Sequence, residues 1–401
     1  MTTAYNLDEI STPPVIRRLL PLNGIILLGF MVIGMPLPVL PLFVHATMTT
    51  SPLTVGLVIG LQSISTVLTR RYAGTLADRM GAKTATVRGL AICAGVGAIY
   101  ILCVMIPVSW TIQLAILLLG RLVLGLGESL ILTGAITWGI GRVGIGNAGS
   151  VMSWNGIAMY AALASGAPLG LAVYGAFDSA SAGFVALGAV STILPLVALA
   201  IAVRLTAVAV TPERRVSGWT VLKRIWSFGS VLTLQMVGFG TIASFLSLTY
   251  ATLGWDGAGL AFTGFGIAVI AVRFVWGHLP DRIGGRSVAV VSLVVDCIGQ
   301  MLIWLAPVPM VAMAGAIVTG MGLALAFPAL GIEAMRRVPP ASKGLVVALF
   351  SAFQDIAFGI TGPLTAVVVS LFGYQSVFAA GAVSSLLALL LLASTKKDVA
   401  T

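Results

Sequence analysis

The chain is a succession of twelve long apolar runs separated by short polar breaks. The runs fall near 21–44, 53–75, 83–106, 111–140, 149–175, 182–204, 226–252, 259–279, 287–306, 310–335, 345–371 and 375–395. A helix needs about 20 apolar residues to cross the hydrocarbon core of a bilayer. Inside that core every backbone N–H and C=O must be paired within the protein, which leaves helices and closed barrels as spanning structures. Continuous apolar runs lack the alternation of a barrel strand. The expectation is an all-α membrane protein with twelve transmembrane helices. Composition agrees: only 8% of residues are charged and 59% are apolar. A soluble domain carries about 25% charge, so this chain has too little to cover a soluble globule.

The charges also set an orientation. Placing the N-terminus in the cytoplasm and alternating sides puts nearly all Lys and Arg on one face. That face receives Arg17, Arg18, Arg70, Arg71, Arg79, Lys83, Arg88, Arg142, Arg204, Arg214, Arg215, Lys223, Arg224, Arg282, Arg286, Arg336, Arg337, Lys343, Lys396 and Lys397. The opposite loops, near 45–52, 107–110, 176–181, 253–258, 306–309 and 372–374, contain no Lys or Arg. Short loops keep positive charge on the cytoplasmic side, so both termini are expected there. The net charge of +10 is therefore topological. It forms no continuous basic patch of the kind nucleic-acid binding needs, and no nucleic-acid partner is expected.

The longest polar interruption, 205–224, divides the runs into six plus six. It predicts an N-terminal six-helix bundle over 1–204, a cytoplasmic linker, and a C-terminal bundle over 225–401. The halves share a motif. Arg70-x-x-x-Gly74-x-Leu76-x-Asp78-Arg79-x-Gly81 returns as Arg273-x-x-x-Gly277-x-Leu279-x-Asp281-Arg282-x-Gly284. Gly125-x-Gly127 in the fourth run matches Gly320-x-Gly322 in the tenth, and Gly166-Ala-Pro168 has a loose echo in Gly362-Pro363. Small residues at such positions allow close helix packing in lipid.

These residues resemble the major facilitator superfamily, whose signature between the second and third helices reads Gly-x-Leu-Ala-Asp-Arg-x-Gly-Arg-Lys. Gly74 to Lys83 follows it except that Ala82 replaces an Arg; the second copy has Pro280 where Ala is usual. Arg121-x-x-x-Gly125-x-Gly127 resembles the fourth-helix motif. Pro36, Pro38 and Pro41 resemble the first-helix motif of the efflux branch. Gly166-Ala167-Pro168-Leu169-Gly170 resembles the antiporter motif with an extra Ala. The Thr69–Gly74 lead-in looks most like bacterial arabinose or drug efflux-type permeases. The resemblance implies two pseudo-symmetric six-helix bundles that rock about a central site. Helices one, four, seven and ten would line the cavity, and two, five, eight and eleven would form the sliding interfaces. It further implies a bacterial inner-membrane protein that works as a monomer within the lipid bilayer.

The chemistry-bearing residues sort by depth. Gly74, Asp78, Arg79 and Gly81, with Gly277, Asp281, Arg282 and Gly284, lie at cytoplasmic turns. By resemblance, Asp78 would cap the eleventh helix near Lys343–Gly344 and Asp281 the fifth near Asn147–Gly149. Each would act as a conformational latch, since a helix N-terminus favours negative charge. The alternative is that Arg79 and Arg282 only enforce orientation. Deep in the fourth run lie Arg121 and Glu128, seven apart on one helical face. Charges at such depth are costly and face a cavity or a partner. Glu128 is a candidate proton acceptor and Arg121 its modulator, the alternative being a structural polar network. Asp355 is either a partner for Arg70 or Arg71 across the second and eleventh helices or a proton or cation site. Asp296, with Gln300 one turn on, receives only a local hydrogen-bond reading, and Glu333 a surface cluster with Arg336 and Arg337.

Gln62, Trp138, Trp154, Asn155, Gln235, Phe239 and Gln354 are candidate cavity residues. They mix the amides of a sugar site with the aromatic faces of a drug site, and helix–helix hydrogen bonding is the alternative for each amide. Cys93, Cys103 and Cys297 lie within apolar runs and read as small hydrophobes. His45 and His278 have no metal-ligand companion, and no Walker lysine follows the glycines. No metal, cofactor or enzymatic residue set is expected. The reading is a secondary active transporter of a small organic solute, sugar or drug-like, exporting it against protons. The alternatives are a proton-coupled importer of a sugar or organic acid and a non-transporting receptor.

Overall fold

The structure is a computed structural model that describes residues 13–48, 51–144, 147–208, 218–338 and 343–395. At 13–14, 148–149, 218, 281, 343–345 and 347–348 it describes the backbone alone. The helices are α1 (Pro13–Gly34), α2 (Pro36–Thr47), α3 (Pro52–Met80), α4 (Ala82–Met105), α5 (Trp110–Val143), α6 (Ala148–Gly175) and α7 (Ala180–Arg204), then α8 (Gly218–Thr252), α9 (Ala258–Trp276), α10 (Leu279–Ile283), α11 (Gly285–Trp304), α12 (Pro309–Ala324), α13 (Ala326–Met335), α14 (Lys343–Phe372) and α15 (Val377–Ser394). No strand occurs among the described residues.

Among the described residues twelve spans are long and apolar enough to cross a membrane. The first is α1 with α2 and the tenth is α12 with α13. The first bends at Met35, where Pro36, Pro38 and Pro41 remove three backbone donors. The tenth breaks at Leu325. The seventh span begins at Gly218, inside the stretch read as linker, so helix takes over the last residues of 205–224. Residues 209–217, with Glu213, Arg214 and Arg215, lie outside the described residues.

Burial separates central from peripheral spans. The first and seventh are 78% buried over their most apolar window, against 33–56% for the others. They form the centre, one from each half. Exposed Leu68, Phe274, Leu364 and Leu390 belong to faces that lipid would cover.

The halves meet where their backbones can approach. A Cβ on Gly56 or Gly60 of α3 would strike the backbone of Gly362 or Gly359 on α14. A Cβ on Gly266 of α9 would strike Ala164 of α6, and Gly259 sits against Pro168. The second and eleventh spans, and the fifth and eighth, thus cross between halves, as the resemblance implied, and the first also packs on the seventh. Within each half the matched glycines serve matched contacts. Gly125 of α5 lies on Gln62, Ser65 and Thr66 of α3, and Gly320 of α12 lies on Phe265 of α9. Gly127 meets Cys93 of α4, and Gly322 meets Asp296 of α11.

Candidate functional site

A cavity of about 110 Å³ lies between the halves at mid-span. Its lining comes from six spans: Phe30, Ile33 and Leu37 from the first, Ile59, Gln62 and Ser63 from the second, Arg121 and Glu128 from the fourth, Met159, Tyr160 and Leu163 from the fifth, Phe239 and Ala243 from the seventh, and Gln354 and Phe358 from the eleventh. The tenth span, expected to line it, contributes nothing. Gly320 draws α12 onto the backbone of Phe265, and Phe239 stacks on Phe265 with ring centroids 5.3 Å apart, filling the space in front of it.

Among the described residues Glu128 is the only acidic one on the lining. Gln62 Nε2 donates to its Oε2 at 2.8 Å and Thr66 Oγ1 donates to the same oxygen at 3.0 Å. Both donors stand on one face of α3, a turn apart. Oε1 receives no hydrogen bond among the described residues, so one carboxyl oxygen is anchored and the other is left to the cavity.

Arg121 shares that helical face but not an ion pair with Glu128. Its Nε donates to Val58 O at 2.8 Å, its Nη2 to Ile59 O at 3.3 Å and its Nη1 to Tyr100 Oη at 3.4 Å. It is 1% exposed. The guanidinium fork is spent on two carbonyls of α3 and a tyrosine of α4, which fastens three helices of the N-terminal half together. A buried cation without a carboxylate partner is tolerated only when its donors are satisfied, and here five-donor geometry finds three acceptors.

One turn beyond Thr66, Arg70 crosses to the other half and forms an ion pair with Asp355 of α14. Arg71, the other candidate partner, is exposed. Arg273, which opens the second motif copy, makes the mirror crossing. Its guanidinium lies 4.9 Å over the ring of Tyr160 on α6, its Nε donates to Ala324 O at 3.0 Å, and Gly156 leaves room for it. The leading arginine of each motif copy therefore reaches into the opposite half.

The motif turns themselves are less engaged. Gly81 and Gly284 both take positive φ, 94° and 88°, which a side chain would resist. Asp78, Arg79 and Arg282 are exposed, and Asp78 has no hydrogen-bond partner among the described residues. The side chains of Asp281 and of Lys343 and Gly344 lie outside the described residues. At the opposite end of the molecule the halves touch through Tyr374 Oη and His45 Nδ1, 3.4 Å apart.

Of the candidate cavity residues, Gln62, Phe239 and Gln354 face the cavity. Trp138, Trp154, Asn155 and Gln235 do not. Trp138 is wholly buried and donates through Nε1 to Thr206 O, tying the fourth span to the start of the interbundle segment. Gln235 is wholly buried and donates to Gly322 O. Sequence reasoning missed Tyr160, Met159, Phe30 and Phe358. The first two sit on a span assigned only to the interface, although it also borders the cavity. Among the described residues no group of His, Cys, Asp and Glu has the makings of a metal site, and the three cysteines are free.

Comparison with known proteins places this arrangement. A model described as Major Facilitator Superfamily matches residues 22–257 and 228–400. An uncharacterized MFS-type transporter of Salmonella typhimurium is 41% identical over 366 residues, covering 91% of this chain and 93% of that protein. One of Burkholderia mallei is 43% identical over 359 residues, covering 89% and 86%. Among solved structures, a D-xylose–proton symporter superposes with a TM-score of 0.79 at 15% identity over 97% of this chain and 99% of that one. A nucleoside transporter superposes with a TM-score of 0.72 at 18% identity over 95% and 100%. At such identities the likeness is one of fold.

Proposed function

The chain belongs to the Major Facilitator Superfamily of membrane transporters, and we propose that it exports apolar organic cations across the bacterial inner membrane in exchange for protons. The observation that carries this reading is Glu128: a single carboxylate, half anchored and half free, in a cavity whose other walls are mostly aromatic and aliphatic. A mainly apolar pocket with few convergent polar groups suits a lipophilic solute. Arg121 is committed elsewhere and leaves the negative charge available. One carboxyl group can hold a proton or neutralise a cation, and both at once would restore an uncompensated charge at mid-membrane depth. That mutual exclusion is what antiport requires.

Alternating access follows from the interfaces. Opposite the motif turns the halves touch through Tyr374 and His45 and through the glycine crossing of α3 with α14, while Asp78 has no hydrogen-bond partner among the described residues. We read this as the state open to the cytoplasm with the Asp78 latch released. The cavity, at about 110 Å³, is smaller than the roughly 300–1,000 Å³ of ordinary ligand sites, so solute entry needs the bundles to part further. Arg70–Asp355 and Arg273–Tyr160 are the ties that must yield when they do.

The test is flux in proteoliposomes with an imposed pH gradient, using ethidium as probe. Wild type is expected to move ethidium uphill toward the proton-rich side. Glu128→Gln is expected to lose uphill movement and keep downhill exchange at saturating probe. Retained uphill transport by that variant would overturn the assignment. The amides of Gln62 and Gln354 favour a second reading, proton-coupled import of a polar solute. In that case labelled sugars or nucleosides, rather than ethidium, would accumulate with the incoming proton.

A further inference from the structure

The transport reading leaves one deeply placed acid unused. Asp296 lies on α11, in the ninth span, and is wholly buried. Ser385 Oγ of α15 donates to its Oδ2 at 2.6 Å. Its Oδ1 is buried and receives no hydrogen bond. The groups around it come from every packed element. From α8 they are Gln235, Gly238 and Thr241, from α12 Thr319 and Gly322, and from α15 Gly381, Ser384 and Ser385. Ser292, Cys297 and Gln300 stand on its own helix. None is a cation. The nearest charged cluster, Glu333 with Arg336 and the backbone N–H of Arg286, sits at the motif end, about a helix-half away by a rise of about 1.5 Å per residue.

A second orphan lies beside it. Gln235 donates through Nε2 to Gly322 O at 3.2 Å, but its Oε1 is buried and unbonded. Gly322 itself abuts the Asp296 backbone. Two buried oxygen acceptors thus lie on either side of Gly322, neither of them hydrogen-bonded. An unpaired carboxylate in such surroundings is strongly disfavoured even after relaxation. A metal cation is a poor remedy, because a hard cation takes about six oxygen ligands. Gly238 closes directly on the carboxyl group and Gly322 on the backbone of Asp296, and the cavity between the halves does not reach it. A proton fits where an ion does not. On Oδ1 it removes the charge and supplies the missing donor.

We propose that Asp296, with Gln235 and Ser385, forms a proton-binding site inside the C-terminal bundle, distinct from Glu128 and occupied in this conformation. Its position gives it a task. Gly238 of α8 packs on the Asp296 carboxyl, and the next two residues, Phe239 and Gly240, line the central cavity. Loss of the proton to water would leave a bare carboxylate against α8, so release requires α8 to move and admit solvent. The seventh span is thereby linked to proton occupancy on the side away from the solute.

Infrared spectroscopy of the purified protein in lipid nanodiscs tests this without any solute. At neutral pH the wild type is expected to show a protonated-carboxyl C=O band that persists in Glu128→Gln and is absent from Asp296→Asn. An Asp296→Asn spectrum identical to wild type in that region would overturn the proposal. Should Asp296→Asn fail to fold, Ser385→Ala decides. It removes the hydrogen bond to the C=O oxygen, so the band is expected to move to higher frequency, and an unmoved band would overturn the proposal.

Discussion

The two halves share a helix plan and differ in where they bury an acid. The N-terminal half puts Glu128 on α5, facing the cavity. The C-terminal half puts Asp296 on α11, facing its own interior. Aligning the paired glycines sets Leu323 where Glu128 stands, and aligning the repeated motif sets Cys93 where Asp296 stands. The contact at each place survives: Gly127 rests on Cys93 and Gly322 on Asp296. Small residues preserve the packing of a duplicated scaffold, while the polar residues are free to diverge. The motif arginines repeat the lesson. Arg70 and Arg273 both cross between halves, but one meets a carboxylate and the other an aromatic ring. One tie is therefore sensitive to loss of charge on its partner and the other is not.

The sharpest way to break the comparison is to neutralise the acid of one half and crowd that of the other. Glu128→Gln is expected to abolish pH-driven uptake into proteoliposomes with little change in thermal stability, because Gln62 and Thr66 can still donate to the new amide oxygen. Gly238→Val is expected to act through stability. Its Cβ would lie within about 3.0–3.2 Å of both Asp296 oxygens, and overpacking of this kind costs about 1–3 kcal/mol. A thermal-melt series on purified protein separates the two. A Glu128→Gln protein as unstable as Gly238→Val would mean that both acids are structural.

The two interbundle ties come next. A double-mutant cycle of Arg70→Gln and Asp355→Asn is expected to show a coupling of about 2 kcal/mol, within the range for contacting charged pairs. The cycle of Arg273→Gln and Tyr160→Leu is expected to give about 1 kcal/mol, the scale of a partly desolvated cation–π contact. Equal couplings would erase the asymmetry drawn between the halves.

How far the sequence anticipated this depends on which physical rule was in force. The twelve spans were legible because hydrocarbon permits few structures. The bend at Met35 and the break at Leu325 were not read from the sequence, although prolines follow both, Pro36 at once and Pro328 three residues on, where its missing N–H leaves the Ala324 carbonyl without a helical partner. Gln62, Phe239 and Gln354 line the cavity and Trp138, Trp154, Asn155 and Gln235 do not, a division that spacing could not make, because a helix apolar on all sides carries no stripe to show which face turns inward. Asp296 earned only a local reading because the ninth span is peripheral. Its inward face meets three neighbouring helices, a fact of packing that spacing along one helix does not carry. Arg70 was separable from Arg71 only once α14 stood beside α3.

The smallest expected effect concerns the motif turns, where the halves should behave alike. In this conformation Asp78 is exposed and has no partner among the described residues, so Asp78→Asn removes no described contact. The cost falls on the opposite state, in which the carboxylate would meet a helix N-terminus of the other half. Such an interaction contributes about 0.3–1 kcal/mol at an exposed helix end, which corresponds to a roughly 2- to 5-fold shift in the balance between the two states. Solute exchange should therefore slow by about that factor while the melting temperature of the conformation described here stays put. Asp281→Asn should match it if both motif copies are latches. A variant pair with one silent member would show that the repeated motif, like the buried acids, has kept its shape in both halves and its work in only one.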